Sequence, residues 1–164
     1  MPELRWGLTI PLAGVPLAAH EPLVRRAEAA GYDDLWTGET NGPDGFTPLV
    51  LAAAWTSRIR LGTGVVNPFT RGVPVLAQHA AALADASGGR FVLGLGSSSD
   101  VIVERWNERP FEKPLTRMRT VVPVLREVLA GGLGAAHERL VSGQRHAHER
   151  HGQPPSQLGH AGTL

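Results

Sequence analysis

The chain has 164 residues, no cysteine, 20 glycines and 13 prolines, with 42% hydrophobic and 19% charged residues. That size suits one domain with a sizeable core, and the lack of cysteine excludes disulfides, thiolate metal sites and a cysteine nucleophile. A formal net charge of +1 argues against a nucleic-acid footprint, no apolar run approaches the roughly 18 residues of a membrane span, and the start Met1-Pro2-Glu3-Leu4-Arg5-Trp6 lacks the charged and apolar regions of a signal peptide, which together read as a cytoplasmic protein.

Residues 4–10 mix β-branched and apolar side chains and stop at Pro11, predicting a first strand. Pro22 then stands at the first position of a helix whose apolar face is Leu23, Val24, Ala27 and Ala30, with Gly31 placed to stop it. Residues 34–37 predict a second strand, followed by a polar, Gly-rich loop over 38–45. Thr47-Pro48 reads as an N-cap and first-turn proline ahead of a nearly all-apolar helix over 49–56, buried on most sides. Residues 59–66 predict a third strand, ended by Asn67-Pro68. Pro74 opens a third helix over 75–87, closed by Gly88-Gly89, and residues 91–95 predict a fourth strand. A loop carrying Gly96, Ser97, Ser98 and Ser99 leads to a short helix over 101–106. Pro114 opens a longer helix reaching 130, which Pro123 is expected to kink.

The strands recur at about 30 residues, the length of one βα unit. Strict strand–helix alternation implies a parallel sheet covered by helices. Two architectures satisfy it, a doubly wound open sheet and a (β/α)8 barrel. Residues 133–164 break the pattern. They hold His137, His146, His148, His151 and His160 and few large aliphatics, a composition that cannot offset the entropy of ordering and predicts a disordered tail. The crowded histidines read as low-complexity sequence rather than a metal site. The change near Gly132 is also what a shifted reading frame in GC-rich DNA would produce, which divides the chain into 1–132 and 133–164.

Four segments carry a family resemblance: Ala30-Gly31-Tyr32-Asp33-Asp34-Leu35-Trp36; Arg60-Leu61-Gly62-Thr63-Gly64-Val65; the run from Ala77-Gln78-His79 through Asp85-Ala86-Ser87-Gly88-Gly89-Arg90-Phe91 to Gly94-Leu95-Gly96; and Trp106-Asn107 with Pro110-Phe111-Glu112-Lys113-Pro114-Leu115. In this order and spacing, residues 4–130 resemble the N-terminal half of the luciferase-like monooxygenases, with the last segment most similar to the deazaflavin-using branch. The resemblance implies the N-terminal half of a (β/α)8 barrel, an α/β fold of which four parallel strands and their helices are here. A whole barrel takes about 250 residues. The resemblance also implies an oxidoreductase acting on a small organic substrate. Its cofactor would be a deazaflavin (coenzyme F420), exchanging hydride at C5, with FMN and oxygen activation as the alternative. Because the family's second half completes the site, these 164 residues alone are expected to be inactive. The competing reading is a non-catalytic half-barrel whose open edge strands drive homodimerisation or mark a defective fragment.

In such a barrel the active face lies at the C-terminal ends of the strands, here Gly38-Glu39-Thr40, Val66-Asn67 and Gly96-Ser97-Ser98. The resemblance places Glu39 as the catalytic candidate, a hydrogen-bonding or proton-accepting carboxylate, against the plainer reading of a solvated loop residue. Thr40 stands where deazaflavin-dependent members frequently carry a histidine, and it cannot act as an imidazole would. The resemblance further implies a non-proline cis peptide at Gly64–Val65 supporting the ring, against a trans bond with Gly64 serving only packing. Asn67 is a candidate for a side-chain amide contact to the ring, and also a good turn starter. Gly96, Ser97 and Ser98 are assigned to the cofactor's tail or ring. Gly94-Leu95-Gly96-Ser97-Ser98-Ser99 only partly matches a dinucleotide fingerprint, with Ser99 in place of the third glycine and on the wrong strand for it. His79, Trp36, Trp55 and Trp106 read as helix-face or core residues, and Arg117 and Arg119 as a solvated helix face.

Overall fold

The computed structural model describes residues 4–131. The tail expected over 133–164 lies outside them. Strands β1 (Gly7–Thr9), β2 (Asp34–Thr37), β3 (Arg60–Thr63) and β4 (Phe91–Val92) form one parallel sheet in the order β1-β2-β3-β4. The connecting helices are α1 (Glu21–Ala29), α2 (Thr47–Trp55) and α3 (Val73–Ala86), and α4 (Pro114–Leu129) follows β4. Each helix packs on the next, α1 on α2, α2 on α3 and α3 on α4. Sequential strands with right-sized helical crossovers are one arc of a barrel wall rather than a doubly wound sheet, whose strand order would reverse.

The core lies between sheet and helices. Leu35 and Leu61 pair in register and are fully buried, as are Val24 on α1, Leu49 and Ala52 on α2, Leu76 on α3 and Val121 on α4. On the opposite face Trp36 spreads its ring over Gly62, where a Cβ would collide with it. Trp36 is therefore half-buried, as a wall residue, while Trp106 stands 52% exposed and is not part of the core. The first strand is shorter than its pattern suggests. Leu4 and Trp6 are exposed, and the pairing begins at Gly7.

Polar side chains seal the N-terminal end of the sheet. Arg60 forks onto both carboxylate oxygens of Asp34, and Arg5 approaches the same group at 3.6 Å. Arg90 donates to the carbonyls of Ala53, Thr56, Ile59 and Ser87 and to the Thr56 hydroxyl, tying the ends of α2 and α3 to the start of β3. Glu28 accepts the amides of Ser57, Arg58 and Ile59. Burial raises its carboxyl, and these three amides together with the Arg58 charge outweigh that and hold it below its ordinary value.

Two local expectations change. Thr47 does not cap α2. The Asp44 carboxylate does, accepting the amides of Phe46 and Thr47 at 2.8 and 3.0 Å, and Thr47 is the first helical residue with Pro48 beside it. Pro123 lies inside α4, between 114 and 129. Arg117 is not a solvated residue of α4, because its guanidinium donates to the Pro68 carbonyl at 3.0 Å and ties the helix to the loop after β3. The turn over Val101–Trp106 is a π-helix, a form frequent near functional sites.

Candidate functional site

The C-terminal ends of β2, β3 and β4 meet at one rim. Thr37, the last residue of β2, is buried. Its hydroxyl donates to the Gly45 carbonyl at 2.6 Å and its carbonyl accepts the Gly64 amide. The β2–α2 loop is thereby folded back against the end of β3. Thr63 does the same between β3 and β4, its hydroxyl bonding both the amide and the carbonyl of Gly94 at 2.8 and 2.9 Å.

Beyond Thr63 the Gly64–Val65 peptide is cis, as the resemblance implied. Val65 is 40% exposed, while Val66 is buried in a bridge with Leu95. Gly96 accommodates this bulge. Its amide donates to the Val66 carbonyl, and a Cβ there would lie 2.5 Å from the Val65 side chain. Gly94 likewise faces the Thr63 carbonyl with no room for a Cβ. Both glycines that partly match a dinucleotide fingerprint sit at close strand contacts. Ser97 and Ser98 follow directly, half-buried, Ser98 at φ 65°, and neither makes a hydrogen bond among the described residues.

Glu39 is largely buried and held at both oxygens. Arg71 donates to Oε2 and the Gly45 amide to Oε1 at 3.3 Å, with side-chain exposures of 14% for Glu39 and 17% for Arg71. The Arg71 guanidinium also lies 5.5 Å from the Phe46 ring centroid, a cation–π contact. Phe46 in turn meets the ring of His79 at 4.8 Å, so that histidine lies on a helix face against an aromatic. Burial raises the Asp44 carboxyl, but bonds from the Thr47 hydroxyl and the Phe46 and Thr47 amides, with the Arg71 charge, hold it below its ordinary value.

Glu39, Thr40 and Asn67 line a cavity of about 310 Å³ with Asp44, Arg71 and Asn107. Asn67 is 2% exposed, and its side-chain oxygen accepts the amides of Phe69 and Thr70 and the Thr70 hydroxyl, so that oxygen builds the turn. Gly64, Val65, Gly96, Ser97 and Ser98 stand outside this cavity, along the neighbouring strand ends. Arg71 was not among the sequence candidates. The available signal was its place: a charged residue in the loop after β3, on the rim where the other candidates lie.

The rim thus offers the exposed Val65 side chain against Gly96, with Ser97 and Ser98 directly after that glycine, and, in the Glu39–Arg71 cavity, a fixed carboxylate. A planar redox cofactor with ring carbonyls and a polar tail requires such a set. No group of three or more metal-ligating side chains occurs among the described residues, and no helix among them is long and apolar enough to cross a membrane.

Known proteins share this framework. The profile of the luciferase-like monooxygenases matches residues 7–158. The chain is 42% identical over 115 residues to Rv3520c of Mycobacterium tuberculosis, whose name refers to coenzyme F420, covering 70% of this chain and 33% of that protein. It is 37% identical over 106 residues to a 5,10-methylenetetrahydromethanopterin reductase of Methanolobus tindarius, covering 64% and 32% respectively. Among solved structures, the coenzyme F420 dependent tetrahydromethanopterin reductase of Methanopyrus kandleri superposes with a TM-score of 0.66 at 28% identity, over 76% of this chain and 40% of that one. The chain therefore spans about a third of the length of the curated relatives it matches. On the strand order, the shared rim and the extent of the match, the chain belongs to the luciferase-like monooxygenase family.

Proposed function

We propose that this chain carries the β1–β4 part of a deazaflavin-dependent oxidoreductase site, with coenzyme F420 preferred over FMN. The observation that carries the reading is Val65, an exposed apolar side chain seated on Gly96, beside Ser97 and Ser98 with unused donors. The names of Rv3520c and the Methanopyrus kandleri reductase support the choice of deazaflavin. Bound there, the cofactor would supply hydride exchange with a small organic molecule at its C5 carbon. Val65 would back the ring, Ser97 and Ser98 would donate to its carbonyls or tail, and Gly64 and Gly96 would let the backbone approach. Glu39, clamped by Arg71 and the Gly45 amide, would hold a fixed hydrogen-bond acceptor toward substrate or ring. Thr40 can donate or accept a hydrogen bond there but cannot shuttle a proton near neutral pH.

Fluorescence titration of the purified chain with coenzyme F420 and separately with FMN tests this. Quenching by micromolar coenzyme F420 and not by FMN is expected. Quenching by FMN alone reverses the cofactor choice, and no response to either refutes the site in this chain.

One observation favours a second reading. β1 and β4 are the edges of the sheet, and open parallel edges are association sites. Under this reading the chain is a non-catalytic half-barrel that pairs with a second copy. Light scattering with thermal melting separates the outcomes: a discrete dimer with one cooperative transition supports pairing, and polydisperse material indicates a defective fragment.

A further inference from the structure

A second cleft opens at the same rim, between the β1–α1 loop and the β2–α2 loop. It encloses about 540 Å³, within the range of small-molecule sites. Leu12, Ala13 and Val15 form one wall, Thr40, Asn41 and Pro43 the other, and no charged side chain among the described residues lines it. Leu12 and Val15 are 44% and 39% exposed. Two branched aliphatic side chains thus face solvent from a segment with little helix or strand to hold it, an arrangement that gains free energy when something apolar covers it.

The wall is held in place by one imidazole. His20 is 2% exposed. Its Nε2 accepts the Leu12 amide at 2.8 Å, and its Nδ1 lies 3.0 Å from the Pro16 carbonyl. Because Nε2 accepts, Nδ1 carries the proton and donates to Pro16. The Val15 amide closes the turn onto the Leu12 carbonyl. An ordered aliphatic wall binds without the entropy cost of arranging it first.

The polar side chains of the lining are Thr9 at its β1 end and Thr40 and Asn41 on the facing side, where the Thr40 hydroxyl lies 3.5 Å from the Asn41 side-chain oxygen. Thr40 and Gly42 also line the Glu39–Arg71 cavity, so the cleft is continuous with the rim already described. The geometry points to this cleft as the substrate subsite, taking an uncharged aliphatic compound with a single hydrogen-bonding head. The head meets Thr40 and Asn41, and the chain lies along Leu12 and Val15. The lining holds no charged side chain, so it offers a phosphorylated or carboxylated substrate no ion pair, and its aliphatic wall favours an uncharged compound. This inference rests on the oxidoreductase reading for what happens to the bound molecule, but binding itself requires no cofactor.

The test is a titration of the full 164-residue chain with 1-alkanols from butanol to octanol, followed by amide NMR shifts without deazaflavin. Shifts are expected at residues 12–15 and 40–42, with affinity rising roughly fourfold per added methylene. Octanoate is expected to bind at least tenfold more weakly than octanol. Leu12→Asn, at an exposed position, is expected to weaken octanol binding about tenfold while leaving the melting temperature unchanged. Shifts scattered over the surface, affinity independent of chain length, octanoate binding as well as octanol, or an L12N variant that binds octanol as well as the wild type would each overturn the proposal. If the alkanols bind here while coenzyme F420 and FMN do not bind, the oxidoreductase reading falls and the subsite stands. If coenzyme F420 binds and the alkanols do not, the reverse holds.

Discussion

Gly94 and Gly42 are both loop or strand-end glycines, yet alanine is expected to act on them very differently. At Gly94 the new Cβ would collide with the Thr63 carbonyl, a backbone atom that cannot move without parting β3 from β4, whereas at Gly42 nothing lies within 4 Å. Urea denaturation should show Gly94→Ala losing about 3 kcal/mol, at the top of the usual overpacking range, and Gly42→Ala losing well under 1 kcal/mol. The Glu39–Arg71 pair permits a similar contrast. Glu39→Ala strands a mostly buried guanidinium and is expected to cost about 1–3 kcal/mol, less than for a fully buried pair, while adding Arg71→Met recovers a good part of it. Glu39 could be picked because the family resemblance marks an acidic residue just beyond the second strand, here two positions after Thr37. Arg71 could not, because its partner is 32 positions away and only the folded rim brings them together.

Asp44 illustrates how a helix start can be read nearly right from the sequence. Thr47-Pro48 carries the usual signature, but the β2–α2 loop turns so that Asp44, three residues earlier, meets the free amides of Phe46 and Thr47. Asp44→Ala is expected to cost about 1 kcal/mol and Thr47→Ala less, measured by thermal melting at pH 7. Asp44 and Glu28 also predict the acid behaviour. Both carboxyls are held below their ordinary values of 3.8 and 4.5 in the folded chain. Their contribution is therefore complete above those values and is lost as pH falls through the lower folded-state values. This contribution should be level from pH 7 to about 5 and decline below about pH 4. Glu28→Gln should shorten that decline, because it removes the carboxylate that joins α1 to the start of β3.

The architecture was legible because each βα unit repeats an apolar run, a polar loop and a proline at a helix start, and three of the four helices, α2 excepted, have a glycine just after their end. The lengths of β1, β3 and β4 were not, because a strand ends where its neighbours stop offering hydrogen bonds, after three residues in β1, four in β3 and two in β4. Of the site, the rim and the Gly64–Val65 bond followed from the family resemblance, whereas the aliphatic cleft did not. It depends on His20 reaching back over its own loop, a contact that no periodicity announces. The unbroken strand order has a consequence for how the chain is made. Each strand pairs with the one synthesised about 30 residues before it, so every new βα unit emerging from the ribosome meets a partner that is already present. Growth can proceed by addition to one edge, with short closures at every step and no need to wait for a distant segment. Nascent chains stalled just after residue 95 should already protect the β1–β2 amides from hydrogen exchange, while the amides of β4 still exchange freely.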